Sequence, residues 1–127
     1  MVWTGGSAGA IGAYIWANEV IKYVSKDTKV HTILDSGFFL DFNAIGTHKS
    51  YLPIQLKNIY SLANLNGKTP NEACNNYYPK EEWKCFLYEY SYASVEGRKL
   101  IINSEYDAWA IPNIQKIKCL KIGKTGN

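Results

Sequence analysis

A serine framed by glycines opens this chain and is its strongest candidate for chemistry. Residues 5–9 read Gly-Gly-Ser-Ala-Gly, which fits the pattern G-x-S-x-G. A serine in this pattern sits on a sharp turn between a strand and a helix, where its hydroxyl can attack an acyl carbon. Glycines are expected on both sides because side chains would collide in so tight a turn. Ser7 is therefore a candidate nucleophile for acyl transfer.

A glycine-rich turn before an ordinary buried helix is the alternative interpretation of residues 5–9. The pattern is expected by chance about 0.05 times in a chain of this composition, so it is uncommon but not decisive. A nucleotide-binding loop fits less well, because the spacing of the early glycines excludes G-x-G-x-x-G. The two Gly-Lys-Thr sequences lack the upstream glycine of a phosphate loop.

Length and composition limit the classes of protein to consider. The chain has 127 residues, which allow one domain at most, and 46% of them are hydrophobic, as in globular proteins. A net charge of +3 implies no particular affinity for nucleic acid. No uninterrupted apolar run reaches the ~18 residues that a membrane span needs. We therefore expect a globular domain with no nucleic-acid partner and no membrane span.

The hydrophobic pattern predicts an α/β fold. A strand, a helix and a second strand in succession form a βαβ unit, whose two strands are parallel with a right-handed crossover. We expect an α/β-hydrolase-like parallel sheet with flanking helices, in which the first strand carries Ser7 and two strands follow it. The predicted strands cover residues 2–4, 29–34 and 99–103. The predicted helices cover residues 8–23, 52–65 and 81–93 and a short stretch within 110–118. Residues 64–78 are predicted to form a loop.

Two aspartates and two histidines are candidate partners for Ser7. Asp35 and Asp107 both follow predicted strands and so lie at the carboxyl edge of the sheet, where ligands bind in open parallel sheets. The pattern favours Asp107, since Asp35 starts the next segment and is suited to orienting it. His31 lies about 13 Å from that edge, at the start of its strand. His48 precedes Asp107, which breaks the chain order serine, acid, histidine, so neither histidine is a convincing base.

The three cysteines leave two arrangements open. Cys74 and Cys85 flank a polar loop and would close a small disulfide ring, which would leave Cys119 without a partner in the chain. Reduced, buried thiols in a cytosolic protein are the alternative, and the number of cysteines does not decide between them.

Four dispersed motifs occur in the chain in this order: Gly-Gly-Ser-Ala-Gly at 5–9, Leu-Asp-Ser-Gly-Phe-Phe-Leu-Asp at 34–41, Glu-Trp-Lys-Cys-Phe at 82–86 and Asn-Ser-Glu-Tyr-Asp-Ala-Trp at 103–109. Together they resemble the pectin acetylesterase family, which includes the Notum-type carboxylesterases. The family's usual elbow, G-x-S-A-G-G, differs only at Ala10, which stands in place of the last glycine. The mechanism of the family is metal-free, so the resemblance implies no metal site.

The resemblance implies a catalytic role for three residues and no cofactor. Ser7 corresponds to the nucleophile, Asp107 to the triad acid, and the backbone N–H of Ala8 to one donor of the oxyanion hole. The catalytic histidine of the family is expected beyond Asn127, and its glycine-rich oxyanion loop and secretion signal before Met1. We therefore expect residues 1–127 to form a partial domain, a fragment that lacks the N- and C-terminal parts of the fold.

Further positions also correspond to features of the family. Cys74 and Cys85 match a disulfide, and Cys119 matches a cysteine whose partner lies further along the chain. Phe38 and Phe39 lie in a loop beside the substrate pocket and are candidates for its walls.

The activity that the resemblance implies is serine carboxylic-ester hydrolysis in an extracellular or secretory protein. We expect it to deacetylate pectin or a related acetylated polysaccharide. One alternative is a Notum-type protein O-deacylase, which removes a fatty acyl group from a protein. Another is a non-catalytic fragment, because Ser7 has no histidine among these residues to activate it. The isolated 127-residue chain is expected to be inactive and poorly stable.

Overall fold

A computed structural model describes residues 1–63, 65 and 68–118. Its centre is a three-stranded parallel sheet in the order β1-β2-β3, formed by Val2–Gly6, His31–Asp35 and Arg98–Ile102. The helices are α1 (Ala8–Lys22), α2 (Leu52–Leu62), α3 (Glu72–Tyr77), α4 (Tyr88–Ser91) and α5 (Ala110–Asn113). Two 3₁₀ segments, Glu82–Phe86 and Tyr92–Ser94, flank α4. The predicted α/β fold, all three strands and the first two helices are confirmed, with small shifts of their ends.

The three strands end together at one edge of the sheet. In the register of the ladder, Gly6 pairs with Asp35 and Asp35 pairs with Ile102. Residues that follow the strands therefore meet at this carboxyl edge. β1 and β3 form the two lateral edges of the sheet, and β2 is central.

Helix α1 covers one face of the sheet. Its small residues Ala10, Ala13 and Ala17 are buried and allow the helix to approach the strands closely. The indole of Trp3 donates a hydrogen bond of 2.7 Å to the carbonyl of Ala13, which fixes the helix against β1. On the other face, the side chain of Leu100 stays exposed and is not covered by any described element.

Of the two glycines that frame the G-x-S-x-G motif, the first, Gly5, is required by the packing, whereas the last, Gly9, is not. A Cβ added to Gly5 would lie 2.1 Å from the carbonyl oxygen of Gly9, so any side chain there collides with the start of α1. Outside its chain neighbours and the adjacent backbone of its own helix, no described residue comes within 4 Å of a Cβ built on Gly9. The expectation that both glycines are needed to avoid collisions is therefore wrong for Gly9.

The segment predicted as a loop over 64–78 contains helix α3. The side chain of Asn71 caps this helix by accepting a hydrogen bond of 3.1 Å from the N–H of Cys74. Cys74 forms a disulfide with Cys85, with a Cα–Cα distance of 6.0 Å, and both cysteines are fully buried. The predicted pairing is confirmed. The cap and the cross-link explain why so short a helix forms where composition predicted none.

The helix predicted over 81–93 is broken into α4 and its two flanking 3₁₀ segments. The aromatic residues of this region pack against different parts of the molecule. The ring of Tyr88 is fully buried and lies 4.9 Å from that of Tyr14 on α1. The ring of Tyr90 instead packs edge-on against Tyr78 at 5.4 Å.

A second buried cluster lies beside the carboxyl edge of the sheet. It joins α2 to the segment after β2 and to the end of α5, and it consists of Phe39, Leu52, Leu56, Leu87 and Ile114. This cluster supports the loops that line the candidate site. In the described part of the chain, no helix is both long enough and apolar enough to cross a membrane.

Candidate active site

Ser7 occupies a strained turn between β1 and α1. Its backbone has φ 52° and ψ −125°, which L-residues other than glycine rarely adopt. The Ser7 N–H donates a hydrogen bond of 2.8 Å to the carbonyl of Asp35, and the Ser7 carbonyl accepts one of 2.9 Å from the N–H of Ala10. These bonds hold the strained conformation in place. The Ser7 side chain is exposed and does not cap the helix.

The amide of Ala8 begins helix α1 directly after Ser7. This N–H makes no hydrogen bond to another described residue, as is usual for the first amides of a helix. The N-terminus of a helix also carries a partial positive charge, and α1 has no acidic residue in its first turn to neutralise it. A negative charge that develops on an oxygen beside Ser7 would therefore be stabilised here.

Ser7 and Asp107 line the same open depression at the carboxyl edge of the sheet. The depression has a volume of about 470 Å³. Asp107 reaches it through the loop that follows β3, as expected from the common edge of the strands. The other lining residues come from the loops after β2 and β3 and are Ser36, Phe39, Ser104, Tyr106, Ala108 and Trp109.

One oxygen of the Asp107 carboxylate is already used to hold its own loop. Oδ1 accepts hydrogen bonds from the N–H groups of Trp109 (2.8 Å) and Ala110 (2.9 Å) at the start of α5. Oδ2 makes no hydrogen bond to the described residues, and the side chain is only partly buried. The carboxylate is thus fixed through one oxygen, while the other remains able to accept a proton donor such as an imidazole N–H.

The capping role of Asp107 was missed by the sequence reasoning. Its position just before a short helical segment was the available signal, because aspartate is a preferred residue at helix N-termini.

Asp35 occupies a different environment from Asp107. It lies at the end of β2, is exposed, and accepts a hydrogen bond of 2.9 Å from the hydroxyl of Ser36. Asp35 is not among the residues that line the Ser7 depression.

The structure brings neither histidine of the chain to Ser7. His31 begins β2 at the opposite end of the strands, where it lines a separate depression of about 430 Å³. His48 lies exposed in the loop before α2. The described residues therefore provide no imidazole in the depression that holds Ser7 and Asp107.

Ser36 forms a second strained turn, which the sequence reasoning did not predict. Its φ is 54°, and its N–H donates a hydrogen bond of 2.7 Å to the carbonyl of Ile102 on β3. The following residue, Gly37, packs so tightly on α1 that a Cβ there would lie 2.1 Å from that of Ala10. The Ser-Gly dipeptide at a strand end was the available signal.

The two candidate wall residues lie in neighbouring hollows. Phe39 lines the Ser7 depression and is only 8% exposed. Phe38 instead lines a second hollow of about 260 Å³, which Asp107 also borders. The ring of Phe38 packs edge-on against Tyr88 at 5.8 Å. Burial raises the pKa of Tyr88, so its phenol stays protonated at neutral pH.

Comparison with known protein families assigns the chain to one of them. The sequence model of the pectinacetylesterases matches residues 1–126. The chain belongs to the pectinacetylesterase family. A comparison with curated protein sequences finds no match.

A solved structure shares the fold of this pectinacetylesterase chain. The Wnt deacylase Notum from Drosophila superposes with a TM-score of 0.66 at 22% sequence identity. The match covers 79% of this chain and 30% of the Notum chain. The pectinacetylesterase chain described here therefore spans about a third of the length of that relative and has an α/β-hydrolase-like fold.

Metal-ligating side chains do not cluster in the described part of this pectinacetylesterase chain. No group of three histidine, cysteine, aspartate or glutamate residues there is placed to hold a metal ion. Cys119, expected to pair with a cysteine further along, lies outside the described residues.

Proposed function

We propose that this chain carries the nucleophile and the acid of a serine carboxylic-ester hydrolase. The observation that carries the proposal is the backbone of Ser7, at φ 52° and ψ −125° between a strand and a helix. Strain of this kind costs about 1–3 kcal/mol and persists in proteins mainly where function requires it. The presence of Asp107 in the same depression supports an acyl-transfer site rather than an ordinary glycine-rich turn.

The proposed reaction proceeds through an acyl-enzyme. The Ser7 hydroxyl attacks the ester carbonyl, and a histidine takes its proton and passes it to the leaving alcohol. Oδ2 of Asp107 accepts a hydrogen bond from the other imidazole N–H, which orients the ring and stabilises its charged form. The N–H of Ala8 donates to the oxyanion of the tetrahedral intermediate. In the second half of the reaction, the histidine takes a proton from a water molecule, which attacks the acyl-enzyme. The acid is released, and the histidine returns the proton to Ser7.

The substrate we propose is an acetylated polysaccharide such as pectin, which the description of the family supports. The acetyl group of such an ester is small, so an open depression is sufficient to admit it together with part of a polysaccharide chain. The disulfide between Cys74 and Cys85 supports an extracellular or secretory location, because such bonds persist in oxidising compartments.

Removal of a fatty acyl group from a protein is the second candidate function. The structural match to a Wnt deacylase favours it, as does the hollow of about 260 Å³ that adjoins Asp107. Apolar side chains provide much of the lining of that hollow, among them Phe38, Leu40, Phe42, Ile111 and Ile114.

The isolated 127-residue chain is a separate case, and for it we propose no catalysis. Neither His31 nor His48 lies at the depression, so the described residues place no imidazole there to take the proton from Ser7. Purified chain tested with p-nitrophenyl acetate should show no hydrolysis that Ser7→Ala abolishes. Ser7-dependent turnover by these residues alone would overturn this part of the proposal.

The test of the main proposal uses the protein produced with the sequence that flanks residues 1–127 in its gene. Release of acetate from acetylated pectin is compared with release of fatty acid from an acylated peptide. Ser7→Ala should abolish whichever activity is present, and Ser25→Ala, in the exposed turn after α1, should leave it unchanged. Fatty acid release without acetate release would favour the second candidate, and activity that survives Ser7→Ala would refute both.

A further inference from the structure

Trp109 lines the depression that contains Ser7. The residue is 50% exposed. The ring packs edge-on against Phe39, with centroids 5.8 Å apart and an angle of 75° between the planes. Phe39 belongs to the buried cluster beside the site, so Trp109 is supported from behind by the core. The result is an exposed aromatic ring with a fixed base, next to the nucleophile.

The backbone of Trp109 is held on both sides. Its N–H donates to Oδ1 of Asp107 at 2.8 Å. Its carbonyl accepts from the backbone N–H (3.1 Å) and the side-chain amide (2.8 Å) of Asn113. The carboxylate proposed to orient the histidine therefore also positions this ring. A ring that is already ordered loses little conformational entropy when a ligand stacks on it.

The neighbours of Trp109 offer polar groups that a sugar can bind. Besides Ser7, three hydroxyl-bearing side chains line the same depression, those of Ser36, Ser104 and Tyr106, and Tyr106 is 80% exposed. The indole Nε1–H of Trp109 has no partner among the described residues. Hydroxyls and an N–H bind the polar rim of a sugar, while the electron-rich indole face attracts the polarised C–H groups of its ring.

We propose that Trp109 is a specificity residue on which a sugar ring of the substrate stacks while its ester lies at Ser7. The inference rests on the proposed ester-hydrolase function and adds to it the residue that binds the alcohol part of the ester. The adjoining hollow lined by Phe38 does not include Trp109, although Ser104 and Asp107 border both.

The test measures binding rather than turnover, in the protein produced with its flanking sequence and carrying Ser7→Ala. An acetylated oligosaccharide of pectin is titrated by calorimetry into this variant and into the same variant with Trp109→Ala. Loss of one stacked ring should weaken binding about tenfold. Trp109→Phe should restore part of the affinity and serves as the folded comparison where Trp109→Ala does not fold.

Trp16 provides the matched control. It is 51% exposed on the outer side of α1 and does not line the depression, so Trp16→Ala should leave the affinity unchanged. Equal affinity with and without Trp109 would overturn the inference. So would an equal loss of affinity for a fatty acyl ester without a sugar, since Trp109 would then contact the acyl chain.

The binding result is independent of the proposed function, because the Ser7→Ala background is already inactive. Lack of ester hydrolysis by the wild-type protein would refute the function while leaving Trp109-dependent binding intact. Hydrolysis without Trp109-dependent binding would refute only this inference.

Discussion

Two neighbouring strands of the sheet end in the same unusual way. β1 is followed by Ser7 at φ 52° and β2 by Ser36 at φ 54°. In both turns the serine N–H donates to a carbonyl at the end of the next strand, from Ser7 to Asp35 at 2.8 Å and from Ser36 to Ile102 at 2.7 Å. The sheet therefore repeats a serine of positive φ, with the same kind of backbone hydrogen bond, at adjacent positions.

The two turns differ in the segment that comes next and in the contacts of their hydroxyls. Ser7 leads directly into the 15-residue helix α1, whose first amides are available beside its hydroxyl. Ser36 leads into an irregular segment, and its hydroxyl donates to Oδ1 of Asp35. A strained serine turn thus does not by itself make a nucleophile. The helix N-terminus and an uncommitted hydroxyl distinguish the two.

The largest test of this difference removes each hydroxyl in turn. Ser7→Ala should lower the rate of ester hydrolysis by about 10⁴-fold or more, since the reaction loses its nucleophile. Ser36→Ala removes the bond to Asp35 and one hydroxyl that lines the depression, but no reacting group, and should change the rate a few-fold at most. The assay measures kcat/KM for acetate release by the protein with its flanking sequence. A comparable loss in both variants would mean that the two turns act together and that the distinction is wrong.

The second test compares the two carboxylates that follow the strands. Asp107→Asn keeps an oxygen that can cap α5 but replaces the uncommitted oxygen with an NH₂ group, which cannot accept the imidazole N–H. The rate should fall about 10³–10⁴-fold, with little change in stability. Asp35→Asn should lower it a few-fold at most. Both variants are assayed for kcat and for unfolding temperature, and a larger loss for Asp35→Asn would assign the acid to the β2 turn.

The candidate site was predictable from the sequence where a short motif fixes the chemistry. G-x-S-x-G located Ser7, and the alignment of parallel strands placed Asp107 at the same edge. Two features depended on contacts that no local pattern specifies. The second strained turn arises because Ser36 bonds to β3, and the position of Trp109 depends on Asp107 and Phe39 together.

The fold was predictable where hydrophobic periodicity is strong. The three strands and helix α1 have the apolar spacing that their burial requires. Helix α3 depends instead on the local cap from Asn71 and on the disulfide between Cys74 and Cys85, 11 residues apart. Residues 81–93 contain aromatic side chains that pack in several directions, so their helical propensity is overridden by tertiary contacts.

The third test separates the two glycines that frame Ser7. Gly5→Ala places a methyl group 2.1 Å from the carbonyl oxygen of Gly9, and the forced shift should cost about 1–3 kcal/mol of unfolding free energy. Outside its chain neighbours and the adjacent backbone of its own helix, the methyl group of Gly9→Ala meets no described atom within 4 Å, and the change should stabilise α1 by about 1 kcal/mol. Urea denaturation of both variants measures the two changes. Destabilisation of similar size in both would show that the turn requires glycine on either side.

The smallest expected effect compares the backbone strain of the two serine turns. Glycine adopts a positive φ without a Cβ penalty, so Ser7→Gly should be more stable than Ser7→Ala by about 1 kcal/mol after its larger unfolded-state entropy is counted. The same comparison at Ser36 should also favour glycine, since its φ of 54° is positive as well. We expect the larger gain at Ser7, because its ψ of −125° lies well outside the left-handed helical region in which a non-glycine residue with positive φ is usually found. Unfolding free energies of the four variants give both differences. A larger gain at Ser36 would place the greater strain at the β2 turn, away from the proposed nucleophile.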